Sequence, residues 1–301
     1  MRGIVRVRNA LSAALLTGAA AVGLHDAWSA PEPAHRAEWI RAGDVNVRAV
    51  RMGTGDTTIV LMHGYGESLL AWRGIADRLA RRYRVLAFDL PGFGAGDKPD
   101  AGYDLATTTA RVADLVRRSA RRPTILVGHS MGGEIAASVA LTYPDLVQGL
   151  VLIAPAGFGV SQAAGRLPDA AKALAGATTP LLLPVHDPRW LAEPPAMARY
   201  EPLADPEYRR ATALMIRDFD FSGIGTRFRA VRQPTLLIWG RLDPTIPLST
   251  GRAIAGMIHD SCLRVLDHGL HRPHEAQPDT VFALISSFLE AQGSKQCHSE
   301  A

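Results

Sequence analysis

The chain has 301 residues, is 47% hydrophobic and has a mean hydropathy of +0.03, which fits a globular protein with a sizeable core in one large or two small domains. Its formal net charge is +4, carried almost wholly by arginine, since Lys98, Lys172 and Lys295 are the only lysines. The arginines are scattered over several helical patterns and form no basic stripe interleaved with aromatics, so nucleic-acid binding is not supported.

The N-terminus starts with three arginines, Arg2, Arg6 and Arg8, followed by a charge-free apolar stretch from Ala10 to Leu24 and then Ala27-Trp28-Ser29-Ala30. Basic, then apolar, then small is the layout of a secretory signal peptide over residues 1–30, cut after Ser29 or Ala30. An uncleaved N-terminal membrane anchor is the alternative. The expected location is therefore periplasmic or secreted. Residues 31–39 read as a linker.

Val45 to Met52 alternates apolar and polar, as a half-exposed strand does. Thr58 to Met62 and Arg84 to Phe88 are apolar on both faces and read as buried strands. The first runs into His63-Gly64-Tyr65-Gly66, the second into Asp89-Leu90-Pro91-Gly92-Phe93-Gly94. Helical patterns cover Leu69 to Leu79 and Asp104 to Arg118. Pro123 to Val127 is a further strand, and a helical pattern begins at Glu134.

Between them lies Gly128-His129-Ser130-Met131-Gly132-Gly133. A serine with glycine two before and two after, at a strand-to-helix turn, is the pattern of a nucleophile elbow. The small neighbours let strand and helix approach, and the helix N-terminus behind the serine aims free N–H groups at developing negative charge.

A strand follows at Val147 to Ile153. The βα rhythm then breaks over residues 155–230, which read as a cap or as a small packing domain, with Tyr208 to Arg217 helical. It resumes with a strand at Pro234 to Gly240, a helix at Leu248 to Met257, a strand at Leu263 to Leu266 and a helix at Asp279 to Ala291. Residues 231–292 thus complete the core begun at 40–154, and 293–301 form a tail. Alternating helices and doubly apolar strands imply a parallel sheet covered on both faces. Cys262 opens the last strand and Cys297 follows the last helix, so an antiparallel return brings them to one end of the sheet as a candidate disulfide in an exported chain.

These motifs, in this order, resemble the α/β-hydrolase family over nearly all of residues 40–292, in particular its serine esterase and lipase-like members. His63-Gly64-Tyr65-Gly66 is similar to the loop after the family's third strand, and Asp89-x-Pro91-Gly92-x-Gly94 to the turn after its fourth. The serine motif is similar to its elbow, and Trp239-Gly240-x-x-Asp243-x-x-x-Pro247 to its acid loop. His271, with Pro273 and Pro278 behind it, matches the register of the family's histidine, although Leu270 stands where the family has glycine; His268 and His274 are neighbouring rivals.

The resemblance implies an α/β fold with a mostly parallel central sheet of about eight strands, helices on both faces and a helical cap inserted after strand six. It implies a Ser130, Asp243, His271 triad and an oxyanion hole formed by the backbone N–H groups of Tyr65 and Met131. Asp218 and Asp220 are fallback acids. His63, His129 and Asp89 are read as supports of their loops.

The reaction expected is cleavage of a carboxylic ester through an acyl-enzyme, without cofactor or metal. The partner is a small-molecule ester, apolar if Leu181, Leu182, Leu183, Trp190 and Leu191 line the pocket rather than pack the cap, and membrane proximity is compatible. Carbon–carbon bond hydrolysis, lipase or acyltransferase activity, and non-catalytic binding are the alternatives. An aspartate nucleophile, as in haloalkane dehalogenases, is excluded by Ser130. The oligomeric state is not encoded in these patterns.

Overall fold

The computed structural model describes residues 34–159, 189–193 and 205–291. An eight-stranded sheet forms the centre. In chain order the strands among the described residues are β1 (His35–Arg36), β2 (Glu38–Ala42), β3 (Val45–Met52), β4 (Thr58–Met62), β5 (Arg84–Phe88), β6 (Thr124–His129), β7 (Gly149–Ile153), β8 (Leu191–Ala192), β9 (Thr235–Gly240) and β10 (Ser261–Leu266). The sheet order is β10-β9-β7-β6-β4-β5-β3-β2, and β1 pairs separately with β8. Pairing is parallel from β10 through to β5. Only β3 runs against its neighbours.

Alternation within each strand explains the two layers. Val60 and Met62 of β4, with Leu126 of β6 and Leu150 and Leu152 of β7, face one core, which also holds Val112, Ile135 and Ile254. Their neighbours Ile59, Leu61, Val127, Val151 and Ile153 face a second core with Leu79, Val281 and Ile285. Helices α1 (Arg73–Ala80) and α7 (Pro278–Glu290) cover the second face; α2 (Leu105–Ser119), α3 (Met131–Thr142) and α5 (Leu248–Met257) cover the first. Two further helices are α4 (Pro206–Asp218) and the one-turn α6 (Pro273–Ala276). Asp104 caps α2 by accepting the Thr107 N–H at 2.9 Å.

Three differences from the sequence reading stand out. The end of the stretch read as a linker, residues 31–39, is already extended, as β1 and the start of β2. The helix read over Leu69 to Leu79 is a 3₁₀ turn, Leu69–Trp72, followed by α1. Trp190 and Leu191 are buried in the second core, with the Trp190 indole N–H 3.1 Å from Asp77 Oδ2, so they pack the body rather than line a pocket. Leu181, Leu182 and Leu183, and residues 1–30, lie outside the described residues. No helix among the described residues is long and apolar enough to cross a membrane. Cys262 is disulfide-bonded and buried, and its expected partner Cys297 lies outside the described residues.

Parallel strands bring successive loops to one edge. The C-terminal ends of β4, β5, β6, β9 and β10 carry His63, Asp89, Ser130, Arg241 and Asp267 respectively as the next residues, and the chain reverses its direction of spread around β4. Ligands bind in such sheets at this edge, at this reversal.

Candidate active site

Ser130 joins β6 to α3 with φ 52° and ψ −118°, a left-handed conformation that costs a non-glycine residue on the order of 1–3 kcal/mol. The surroundings hold it there. Its N–H donates to Ile153 O at 3.0 Å, and its carbonyl accepts from Gly133, Glu134 and Ala156 at 3.0, 3.1 and 3.0 Å. The flanking glycines are required by contact: a Cβ on Gly128 would lie 2.3 Å from Gly132 O, and one on Gly132 would lie 2.4 Å from the carbonyl oxygens of both Met62 and His63.

Three residues widely separated in sequence meet at this turn. His271 Nε2 is 3.1 Å from Ser130 Oγ, and His271 Nδ1 is 2.8 Å from Asp243 Oδ2. The other Asp243 oxygen accepts the N–H groups of Thr245 and Ile246 at 2.8 and 2.9 Å. An ionised carboxylate accepts only, so His271 donates from Nδ1, which leaves the Nε2 lone pair facing the serine hydroxyl. Burial holds the His271 pKa below the ordinary imidazole value, against the pull of Asp243 and reinforced by nearby His129, so the ring is neutral and able to take a proton near pH 7.

The rivals are placed elsewhere. His268 is exposed. His274 is fully buried and stacks on Trp72, with ring centroids 4.6 Å apart. Asp218 pairs with Arg217, and Asp220 accepts from Ser222 N–H at 2.9 Å.

Met131 is the first residue of α3, directly after the serine, and Tyr65 follows His63-Gly64, where the His63 carbonyl closes on Gly132 of the elbow. Among the described residues neither of their backbone N–H groups donates to a protein acceptor, as required of donors kept for an incoming oxygen. Beneath them, the Leu90 N–H donates to His63 Nε2 at 2.8 Å. His63 Nδ1 must therefore carry the proton, which it gives to Gly64 O at 2.7 Å. Burial keeps this imidazole below its usual pKa, in agreement with the neutral tautomer.

Asp89 is a brace: it accepts from Arg48 Nε at 2.7 Å, Leu69 N–H at 2.9 Å and Ala95 N–H at 2.9 Å. Gly94, at φ +53°, passes so close that a Cβ would meet Asp89 Oδ2 at 1.9 Å. Arg48 is fully buried between Asp89 and Glu193. Neither Arg48 nor Glu67, which bonds the site loops from below, was singled out in the sequence; their partners lie 41 and 62 residues away, and no local pattern records such a pair.

An aromatic wall stands beside Tyr65. Its ring meets Phe93 and Phe221 edge-on at 5.5 and 6.1 Å, and its hydroxyl reaches Thr212 O in α4 at 3.4 Å. Leu242 and Leu270, each next to a residue of the site, are exposed. A cavity of about 250 Å³ lies instead at the opposite edge of the sheet, lined by Thr57, Pro123, Gly149 and Pro234, and plays no part in this site.

The alpha/beta hydrolase family profile matches residues 59–284, which span Ser130, Asp243, His271, Tyr65, Met131 and Asp89, while Arg48 lies outside it. The chain belongs to the α/β-hydrolase family. Among relatives of this hydrolase, one from Metapseudomonas resinovorans, described as a 2-hydroxy-6-oxo-6-(2'-aminophenyl)hexa-2,4-dienoic acid hydrolase, is 29% identical over 274 residues, 86% of this chain and 92% of that one. The hydrolase YugF of Bacillus subtilis is 27% identical over 78% of this chain and 91% of its own length. Among solved structures, a membrane phospholipase A described as a bacterial virulence factor superposes with a TM-score of 0.69 at 25% identity, covering 86% of this chain and 87% of that chain.

Proposed function

We propose that the protein is a serine hydrolase that cleaves carboxylic esters through an acyl-enzyme. The observation that carries this reading is the unbroken line from Ser130 Oγ through His271 to Asp243, at 3.1 and 2.8 Å. A serine hydroxyl is a weak nucleophile until a base removes its proton. His271 is that base, and it later returns the proton to the leaving alcohol. Asp243 fixes the tautomer and stabilises the imidazolium. The oxyanion of the tetrahedral intermediate is held by the N–H groups of Tyr65 and Met131.

The aromatic wall and the exposed Leu242 and Leu270 support an apolar acyl or alkyl group. Contacts of α4 with the site loop, Tyr65 Oη to Thr212 O and Tyr208 Oη to Gly66 O at 3.5 Å, support residues 155–230 acting as a cap over the serine. The basic and apolar N-terminus, together with the disulfide-bonded Cys262, supports export to an oxidising compartment.

A fluorophosphonate probe followed by peptide mapping tests the chemistry, and Ser130 is the residue expected to be labelled. A folded protein whose Ser130 resists the probe would sink the reading. A series of p-nitrophenyl esters of rising chain length then measures the acyl group preferred. The relative that hydrolyses a dienoic acid favours a second reading, carbon–carbon bond hydrolysis by the same residues. Turnover of a 2-hydroxy-6-oxodienoate with no ester cleaved would select it.

A further inference from the structure

Behind the triad lies a buried cluster that the proposed chemistry does not use. Glu67, His129 and His274 have ligand atoms within 4.8 Å of one another, a set that by type alone suits a divalent cation. The hydrogen bonds argue otherwise. His129 Nε2 is 2.8 Å from His271 O, and a carbonyl oxygen only accepts, so Nε2 is protonated and donates. His129 Nδ1 shares its proton with the Glu67 carboxylate, 3.2 Å from Oε2 and 3.1 Å from Oε1. No lone pair is left on His129 for a cation. Its ring also packs against His274, centroids 4.5 Å apart.

We propose that Glu67 and His129 are a buried positioning pair that joins the three loops of the site and holds His271 in place against Ser130. The inference rests on His271 being the base. Each loop is tied by one bond. Glu67 Oε2 accepts the Gly64 N–H at 2.8 Å, so it fixes the loop that presents the Tyr65 N–H. His129 precedes Ser130 in the elbow, and its Nε2–H fixes the His271 backbone. Arg272 Nε stands 3.6 Å from Glu67 Oε1, a second hold on the histidine loop. The loop closes directly on the pair: a Cβ on Gly64 would lie 2.8 Å from His129 Nδ1.

The pair also acts on the base through charge. His129 faces Glu67, Arg272, His271 and His274; His271 faces Asp243, His129 and Glu67. Burial alone would lower the His129 pKa, but the Glu67 charge and hydrogen bond outweigh it and hold the ring protonated. A positive ring 4.8 Å from that of His271 disfavours a second imidazolium.

The test uses the full chain, p-nitrophenyl butyrate and the variants His129→Gln and Glu67→Gln. His129→Gln removes the charge and the fixed donor. Its kcat should fall roughly 10- to 100-fold with KM little changed, as for a misplaced base. The acid limb of its kcat/KM profile should move to higher pH, a shift that lost packing alone would not cause. Glu67→Gln keeps acceptor and donor in place without the charge, so it should retain more of kcat than His129→Gln does. Wild-type kcat and an unmoved acid limb in His129→Gln would overturn the proposal.

A second measurement is independent of turnover and of variant folding. Nitrogen-15 histidine NMR of the unaltered protein at pH 6.5, the ordinary imidazole midpoint, should show His129 mostly protonated on both nitrogens, and a mostly neutral His129 there would overturn the pair. If no ester is cleaved by the unaltered protein, the functional reading fails while the NMR result still decides the pair.

Discussion

Two histidine–carboxylate pairs sit side by side in this molecule, with ring centroids 4.8 Å apart, and they are tuned in opposite directions. In the pair His271–Asp243 the imidazole pKa lies below its ordinary value; in His129–Glu67 it lies above. His129 is fully buried and His271 only partly so; burial lowers an imidazole pKa, yet the more buried ring is the one raised, so burial does not make the difference. What differs is the second neighbour. His271 offers Nε2 to a hydroxyl, which can donate, so a neutral ring satisfies both its bonds. His129 has acceptors on both sides, a carboxylate and a carbonyl, and only a doubly protonated ring satisfies them. The same residue types thus yield a poised base in one place and a fixed cation in the other.

The largest expected contrast is in catalysis. Ser130→Ala and His271→Ala should each lower kcat on p-nitrophenyl esters by about 10⁵-fold, since nucleophile and base act as one unit. Asp243→Asn should lower it by about 10⁴-fold by favouring the wrong tautomer. Glu67→Gln, the matching change in the other pair, should cost far less. Steady-state rates of the four variants, side by side, sort the pairs by role. A Glu67→Gln loss equal to that of Asp243→Asn would erase the distinction.

Much of the first pair is legible in the sequence, and little of the second. The elbow is legible because its geometry is enforced within a few residues: Gly128 and Gly132 are glycines for contact reasons that act on neighbouring backbone. Asp243 follows directly from a buried strand, and His271 is marked by Pro273 and Pro278, which start α6 and α7. The sheet was legible through strands apolar on both faces. The pairing of Glu67 with His129 was not, because it spans 62 residues and depends on how two loop ends stack at the sheet edge. The one available signal was an acid three residues after Gly64, in a loop that must satisfy its own N–H groups. The short β1–β8 pair was likewise hidden, since two-residue strands carry no period.

The pairs should also respond oppositely to pH. His271 must be neutral to accept the serine proton, and its pKa is lowered in the fold. The acid limb of kcat/KM should therefore fall below the ordinary imidazole value of 6.5, with activity lost as pH drops through it. For stability the signs differ. A lowered folded pKa at His271 gives stability that is present above 6.5 and lost as pH falls toward the folded value. The raised value at His129 gives stability that is complete below 6.5 and lost as pH rises through the folded value. Urea midpoints across pH should show the alkaline loss in the unaltered protein and less of it in Glu67→Gln. An alkaline limb unchanged by that substitution would argue that the His129 charge contributes nothing to the fold.

The smallest effect expected concerns the third ring. His274 is fully buried, stacked between Trp72 and His129, and among the described residues neither of its nitrogens has a hydrogen-bond partner; the Glu275 carboxylate is 3.9 Å away. Burial holds its pKa well below 6.5, and the positive His129 beside it pushes the same way. A lowered folded pKa means that stability is lost as pH falls below 6.5, at up to about 1.4 kcal/mol per pH unit for one group. His274→Phe keeps the ring contacts and removes both unpartnered nitrogens. The variant should match or slightly exceed the unaltered protein at pH 7.5 and exceed it by about 1 kcal/mol at pH 5.5, read from urea midpoints. If His274→Phe instead destabilises equally at both pH values, His274 is needed for its shape alone. The acid sensitivity of the fold then belongs to His63 and His271, the other two histidines that the site keeps neutral.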